Sequence, residues 1–183
     1  MVKYMAPFLI LISTFSLLSC NKSVSGGGNV TDTAYITCNL DGLAKSFDNA
    51  AGSDTLNVAG INSIEISGYA NNVNKETLHL DISNNYSYPG LPFLTGIYPD
   101  TSTRFVLSSY YLLVVNPDST LQYEAGTGLA GLGDSIANHL NVVITAIEGG
   151  YIAGTFSGDY FLGGDPHAAK KTISNGTFYV KLQ

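Results

Sequence analysis

From residue 34 onward, apolar side chains recur at every second position, and turn-forming residues interrupt them at short intervals. Alternation of this kind marks a strand with one buried face. It predicts strands over 34–40, 43–47, 61–69, 76–84, 104–115, 120–125, 139–147, 151–161 and 172–182. Ile36, Cys38 and Leu40 share one face of the first; Ile64 and Ile66 point inward on the third, and Leu78, Leu80 and Ile82 on the fourth. Asp41-Gly42 between the first two strands is the strongest short hairpin signal. Segments 48–54, 86–99, 126–133 and 162–171 lack alternation and are rich in Gly, Pro or polar residues, so they read as loops. No stretch sustains a 3.6-residue period, and 135–138 offers at most one helical turn. The pattern therefore predicts an all-β, antiparallel domain, with a two-sheet β-sandwich as the leading architecture and a partly closed β-barrel as the alternative. Gly154-Thr155-Phe156 and Gly176-Thr177-Phe178 echo one another, which predicts two neighbouring strands whose glycines admit a large aromatic from across the sheet.

The start of the chain has a different texture. A single cation, Lys3, precedes an apolar run over 6–18 that is too short to span a bilayer and reads as a cleavable secretory signal. The run closes on Leu17-Leu18-Ser19-Cys20, which resembles the lipobox of bacterial lipoproteins. That resemblance implies cleavage before Cys20 and diacylglycerol on its sulfur, an anchor in which each buried CH₂ contributes ~0.8 kcal/mol. Residues 20–33 carry Gly26-Gly27-Gly28 and no apolar periodicity, so they read as a tether with a coil reach of roughly 20 Å. The expected organisation is a signal peptide over 1–19, the lipidated Cys and tether over 20–33, and the β-domain over 34–183. The expected address is the outer membrane of a cell envelope. Surface-displayed lipoproteins of the Bacteroidota commonly carry acids just after the Cys, whereas Asn21-Lys22-Ser23 follows here and the first acid is Asp32. Surface-facing and periplasm-facing orientations both stay open.

Removal of the signal leaves 164 residues with seven Lys+Arg against 14 Asp+Glu, a net charge of −7. That length suits one domain with a core of its own. The acidic, cation-poor surface argues against nucleic acid and against a polybasic membrane patch. With Cys20 taken by lipid, Cys38 has no intrachain partner and reads as a small buried hydrophobe.

The order of lipobox, tether, a strand ending in Asp41-Gly42, and the terminal Gly154-Thr155-Phe156-Ser157 and Ile173-Ser174-Asn175-Gly176-Thr177-Phe178 is similar to a family of uncharacterised Bacteroidota lipoproteins, a domain of unknown function. The resemblance implies an all-β fold and an envelope location. Its motifs are glycines and aromatics and imply no activity.

Candidate chemistry is sparse. Gly133-Asp134-Ser135-Ile136 invites comparison with the nucleophile block of GDSL-type esterases, but the later Asp-x-x-His pair is absent and no helical pattern supplies an α/β scaffold. Asp165-Pro166-His167 has the wrong spacing. His79, His139 and His167 form no zinc-ligand spacing, and Asp48, Asn49 and Asp54 lack the dense oxygens of a calcium loop. No catalytic residue, cofactor or metal is therefore expected. His79 shares the polar face of its strand with Thr77 and Asp81, and a turn near Asn72 would set Glu65 opposite it. The 12 Tyr and no Trp are more suggestive. Tyr86, Tyr88, Phe93 and Tyr98 concentrate in the Pro/Gly loop, and Tyr suits sugar rings and protein interfaces alike. These four and His167, beside Lys170-Lys171, are the candidate ligand contacts; the competing reading is that the rings close the end of the domain. Thr33, Thr55, Ser119 and Ser135 follow Asp in a pattern resembling the O-glycosylation site of exported Bacteroidota proteins. The expectation is a non-catalytic binding or structural module, glycan-binding in its most concrete form. A protein-interaction subunit of an envelope complex is the alternative, and a hydrolase the minor one.

Overall fold

The computed structural model describes residues 33–56, 60–70, 76–99, 104–116, 118–126 and 140–183. Eleven strands form in them: β1 (Tyr35–Leu40), β2 (Leu43–Phe47), β3 (Asn49–Leu56), β4 (Asn62–Tyr69), β5 (Thr77–Asn84), β6 (Gly96–Pro99), β7 (Phe105–Asn116), β8 (Ser119–Gly126), β9 (Asn141–Glu148), β10 (Tyr151–Leu162) and β11 (Lys170–Lys181). The ladders are antiparallel, in the order β2-β1-β11-β10-β8-β7-β5-β4-β3, with β9 on the first half of β10 and β6 on β9. The domain is all-β, and the sheet is nearly closed and barrel-like.

Closure rather than a sandwich follows from one bent ribbon. β2 pairs with β1, the chain turns at Asp48, and β3 continues along β4. A strand that serves both edges joins them into a ring instead of leaving two separate sheets. The seam is tight: Gly52 bridges Leu182, and a Cβ at Gly52 would stand 2.8 Å from Val180. A Cβ at Gly68 would stand 2.8 Å from Phe47. Small residues at the crossing explain why 48–54 shows no apolar alternation, and they correct its reading as a loop. β6 corrects the same reading over 86–99. It is a four-residue strand with Pro99 at its end, where the missing N–H costs least.

The inward positions predicted on 34–40, 61–69 and 76–84 are buried: Ile36, Cys38, Leu40, Ile64, Ile66, Leu78, Leu80 and Ile82 all belong to the core. Burial also raises the Cys38 thiol to about 11, with Glu76 adding and Lys45 opposing, so this Cys is an inert hydrophobe. The Gly-Thr-Phe echo is a reciprocal pair on β10 and β11: Gly154 faces Phe178 and Phe156 faces Gly176. A Cβ at Gly176 would stand 2.6 Å from the Phe156 ring, so each glycine makes room for the other strand's aromatic.

The barrel has two mouths. One gathers Tyr35, Leu56, Asn62, Asn84, Tyr151 and Leu182; the other gathers the Asp41-Gly42 turn, Tyr69, the β7–β8 hairpin and the loop after β10.

Candidate functional site

The predicted ligand contacts do not converge. Tyr86 and Tyr88 stand in solvent, 80% and 44% exposed, while Tyr98 is buried at 6%. The Tyr98 hydroxyl donates to the Leu94 carbonyl at 2.6 Å and accepts from the Leu94 N–H at 2.9 Å, so it staples its own loop. Phe93 packs on the core, tilted against Phe105 at 5.7 Å. Half of that aromatic set is therefore structural. His167 is exposed at the opposite mouth, its N–H held by Asp165 Oδ1 at 2.9 Å. Of the modification candidates, Thr33 and Thr55 are exposed, Ser119 is half-buried at the start of β8, and the Thr55 hydroxyl meets that of Ser63 at 2.9 Å. Cys20, Ser135 and His139 lie outside the described residues.

What the fold does assemble is a face that no single segment announces. On the outer side of β1, β11 and β10, Tyr35, Tyr179 and Tyr151 form a continuous stack. Their ring centroids are 6.2 Å apart for Tyr35–Tyr179 and 5.0 Å for Tyr179–Tyr151, the latter within 9° of parallel. One row further along the strands, Ser46, Thr37, Thr177, Thr155, Val143 and Ile97 align across six strands. At about 4.8 Å per strand this row spans roughly 24 Å. The Thr37 and Thr177 hydroxyls hydrogen-bond at 2.7 Å.

A bulge shapes the middle of this face. Ser174 and Asn175 together oppose Ser157, and Asn175 takes a left-handed backbone with φ of 51°. Beside it lies a groove of about 600 Å³ lined by Val143, Phe156 and Gly176 together with Asn141, Thr155, Ser157, Ser174, Asn175 and Thr177. The polar side chains among them are all neutral hydroxyls or amides, able to donate and to accept. The charges described on this face border it: Lys181 and Glu148 lie across from Tyr151, Lys170 pairs with Asp159 at 2.9 Å, and the Asp48 carboxylate accepts from the Ser46 hydroxyl. A row of tyrosines beside neutral two-way hydrogen bonders offers a polyol apolar contact for its ring and partners for its hydroxyls.

The outer side of β4, β5 and β7 has different chemistry. His79 stacks on Tyr110 at 4.7 Å and pairs across the strands with Ser67 and Tyr110, while Glu65 faces Asp81. The expected Glu65–His79 pairing is thus off by two residues, because the β4–β5 register centres on position 73 and not on 72. Burial raises the Asp81 carboxyl to about 6; the Ser83 hydroxyl, 2.9 Å from both its oxygens, opposes this, and Glu65 adds to it. Burial lowers His79, with Glu65 opposing. A ring stack with Tyr110 is what engages the His79 imidazole here.

Sequence reasoning missed the tyrosine face for a local reason. Strict alternation counted from Ile173 would turn Tyr179 inward; the extra residue at Asn175 shifts the phase and turns it out. No protein-family model, no curated protein and no solved structure matches this chain.

Proposed function

We propose that the chain is a lipid-anchored protein of the cell envelope, held at the outer membrane through diacylglycerol on Cys20, and that it works as a non-catalytic module binding a neutral glycan. The observation that carries the glycan reading is the Tyr35–Tyr179–Tyr151 stack running beside the uncharged groove at Asn175. Aromatic faces contribute large contact area at low entropic cost, and the hydroxyls and amides next to them supply direction. A neutral polyol suits such a site, because a charged ligand would find no countercharge in the groove. The anchor reading rests on Leu17-Leu18-Ser19-Cys20 and on the tether that follows.

Glycan-array binding by the wild type and by Tyr179→Ala tests the site. Tyr179→Ala should weaken retention of a neutral glycan by at least about tenfold, as loss of a central aromatic anchor does. Tyr86→Ala should leave it unchanged. Binding undiminished in Tyr179→Ala, or no neutral glycan held by the wild type, sinks the glycan reading. The mass of the N-terminal peptide from native membranes tests the anchor separately, and an unmodified Cys20 removes it.

A further inference from the structure

The mouth that gathers Leu56, Asn62 and Leu182 opens into an apolar cup of about 400 Å³. Leu56, Ile64, Phe93, Ile147 and Leu182 wall it, and Asp54 is the charged side chain among its described lining residues. Ile64 is 1% exposed, whereas Leu56 and Ile147 on the rim are 70% and 39% exposed.

The wall is built rather than incidental. The side-chain amides of Asn62 and Asn84 both donate to the Leu91 carbonyl, at 3.3 and 3.2 Å, and Asn84 is itself 2% exposed. The Gly90 N–H donates to the Gly60 carbonyl at 3.0 Å, and Tyr98 clasps Leu94. These bonds hold the Pro/Gly loop against the mouth with Phe93 turned into the cup. Five segments from distant parts of the chain therefore meet around one concave apolar surface, already organised before anything binds. Barrel mouths are a recurrent place for small-ligand sites, and this volume is at the small end of the usual ~300–1,000 Å³.

We propose that this cup binds a small amphiphile with a short hydrocarbon tail and a cationic head. The apolar wall takes the tail, and its size excludes a whole lipid. The Asp54 carboxylate at the side of the cup selects an ammonium head over a neutral one, and repels a carboxylate. The site lies on the barrel mouth, apart from the outer face of β10, β11 and β1, so it stands independently of the glycan reading.

Methyl and amide NMR titration of the mature chain with Cys20→Ser, which carries no acyl group to compete, tests the proposal with n-octylammonium, octan-1-ol and octanoate as probes. Octylammonium should give saturable shifts confined to Leu56, Ile64, Phe93, Ile147 and Leu182. Octanol should bind about fivefold more weakly, the scale of one exposed charge pair, and octanoate more weakly still. Asp54→Asn, a change at an exposed position, should bring octylammonium to the level of octanol and leave octanol unchanged. Shifts that never saturate, octanoate binding as tightly as octylammonium, or an Asp54→Asn protein that keeps the preference would each overturn it.

Discussion

The outer face of β10–β11–β1 and that of β4–β5–β7 belong to the same sheet and rest on the same core, yet they carry opposite chemistry. The first sets tyrosines beside neutral hydroxyls and amides, with its charges along the border. The second brings exposed Glu65 and half-buried Asp81 and His79 together over one pair of strands, with Tyr110 stacked on the imidazole. Neither face is more regular than the other. The difference lies in what crosses the strands: on one side the Thr37–Thr177–Thr155 row and the amides by the bulge give and take hydrogen bonds without ionising, and on the other the carboxylates of Glu65 and Asp81 face each other. A face of hydroxyls and amides keeps its charge as pH changes, whereas a titratable face makes the stability of the barrel depend on pH.

The comparison is broken most severely from beneath. Phe178 lies under the neutral face in the space left by Gly154, and Phe178→Ala should cost ~3–5 kcal/mol of stability by leaving a cavity there. Urea denaturation should show a lowered midpoint at unchanged slope; a loss under about 1 kcal/mol would mean the face does not depend on that ring.

The titratable face makes a prediction with a sign. Asp81 has a folded-state pKa of about 6, above the unfolded carboxylate value of ~3.9. The native state then holds the proton more tightly, so the stability Asp81 contributes is full below about pH 4 and is lost as pH rises through about 6. His79, lowered by burial, works the other way, since its stability is lost as pH falls through the imidazole range. The stability difference between Asp81→Asn and wild type isolates the first effect. It should move in favour of the variant by roughly 1–2 kcal/mol between pH 4 and pH 7, a range already discounted for partial solvent screening. A flat difference would show that Asp81 ionises freely on the surface. Glycan binding at the neutral face should stay level over the same range.

The smallest expected effect belongs to the hydroxyl pair on the neutral face. Thr37→Val removes one side of the 2.7 Å bond to Thr177 while keeping a β-branched strand residue. Thermal unfolding should shift by the equivalent of about 0.5–1 kcal/mol. A change near that of Phe178→Ala would mean the hydroxyl row holds the strands together rather than serving as a surface.

The strands that cover the core were legible because their alternation is local. Ile64 with Ile66, and Leu78, Leu80 with Ile82, needed only the two-residue period of a pleated chain. The Gly-Thr-Phe echo announced its neighbouring strands for the same reason: shape complementarity was written twice in similar words. β3 was illegible because its inward positions must be small where it crosses the end of β11, and small residues carry no hydrophobic signal. Half of the Pro/Gly loop's rings turned inward because bonds from Asn62, Asn84 and Tyr98 hold that loop down, and the Asn62 bond to Leu91 reaches across 29 residues of chain.

By itself, then, the order of residues determined the all-β class, the inward side chains of most strands and the tight turn at Asp41-Gly42, since each depends on contacts within a few residues. Tertiary structure alone decided that the sheet closes through a bent ribbon, that Tyr35 lies beside Tyr179, and that an apolar cup forms at one mouth. Those outcomes depend on strand register and on one extra residue at Asn175. A single step in register sends every following side chain to the opposite face.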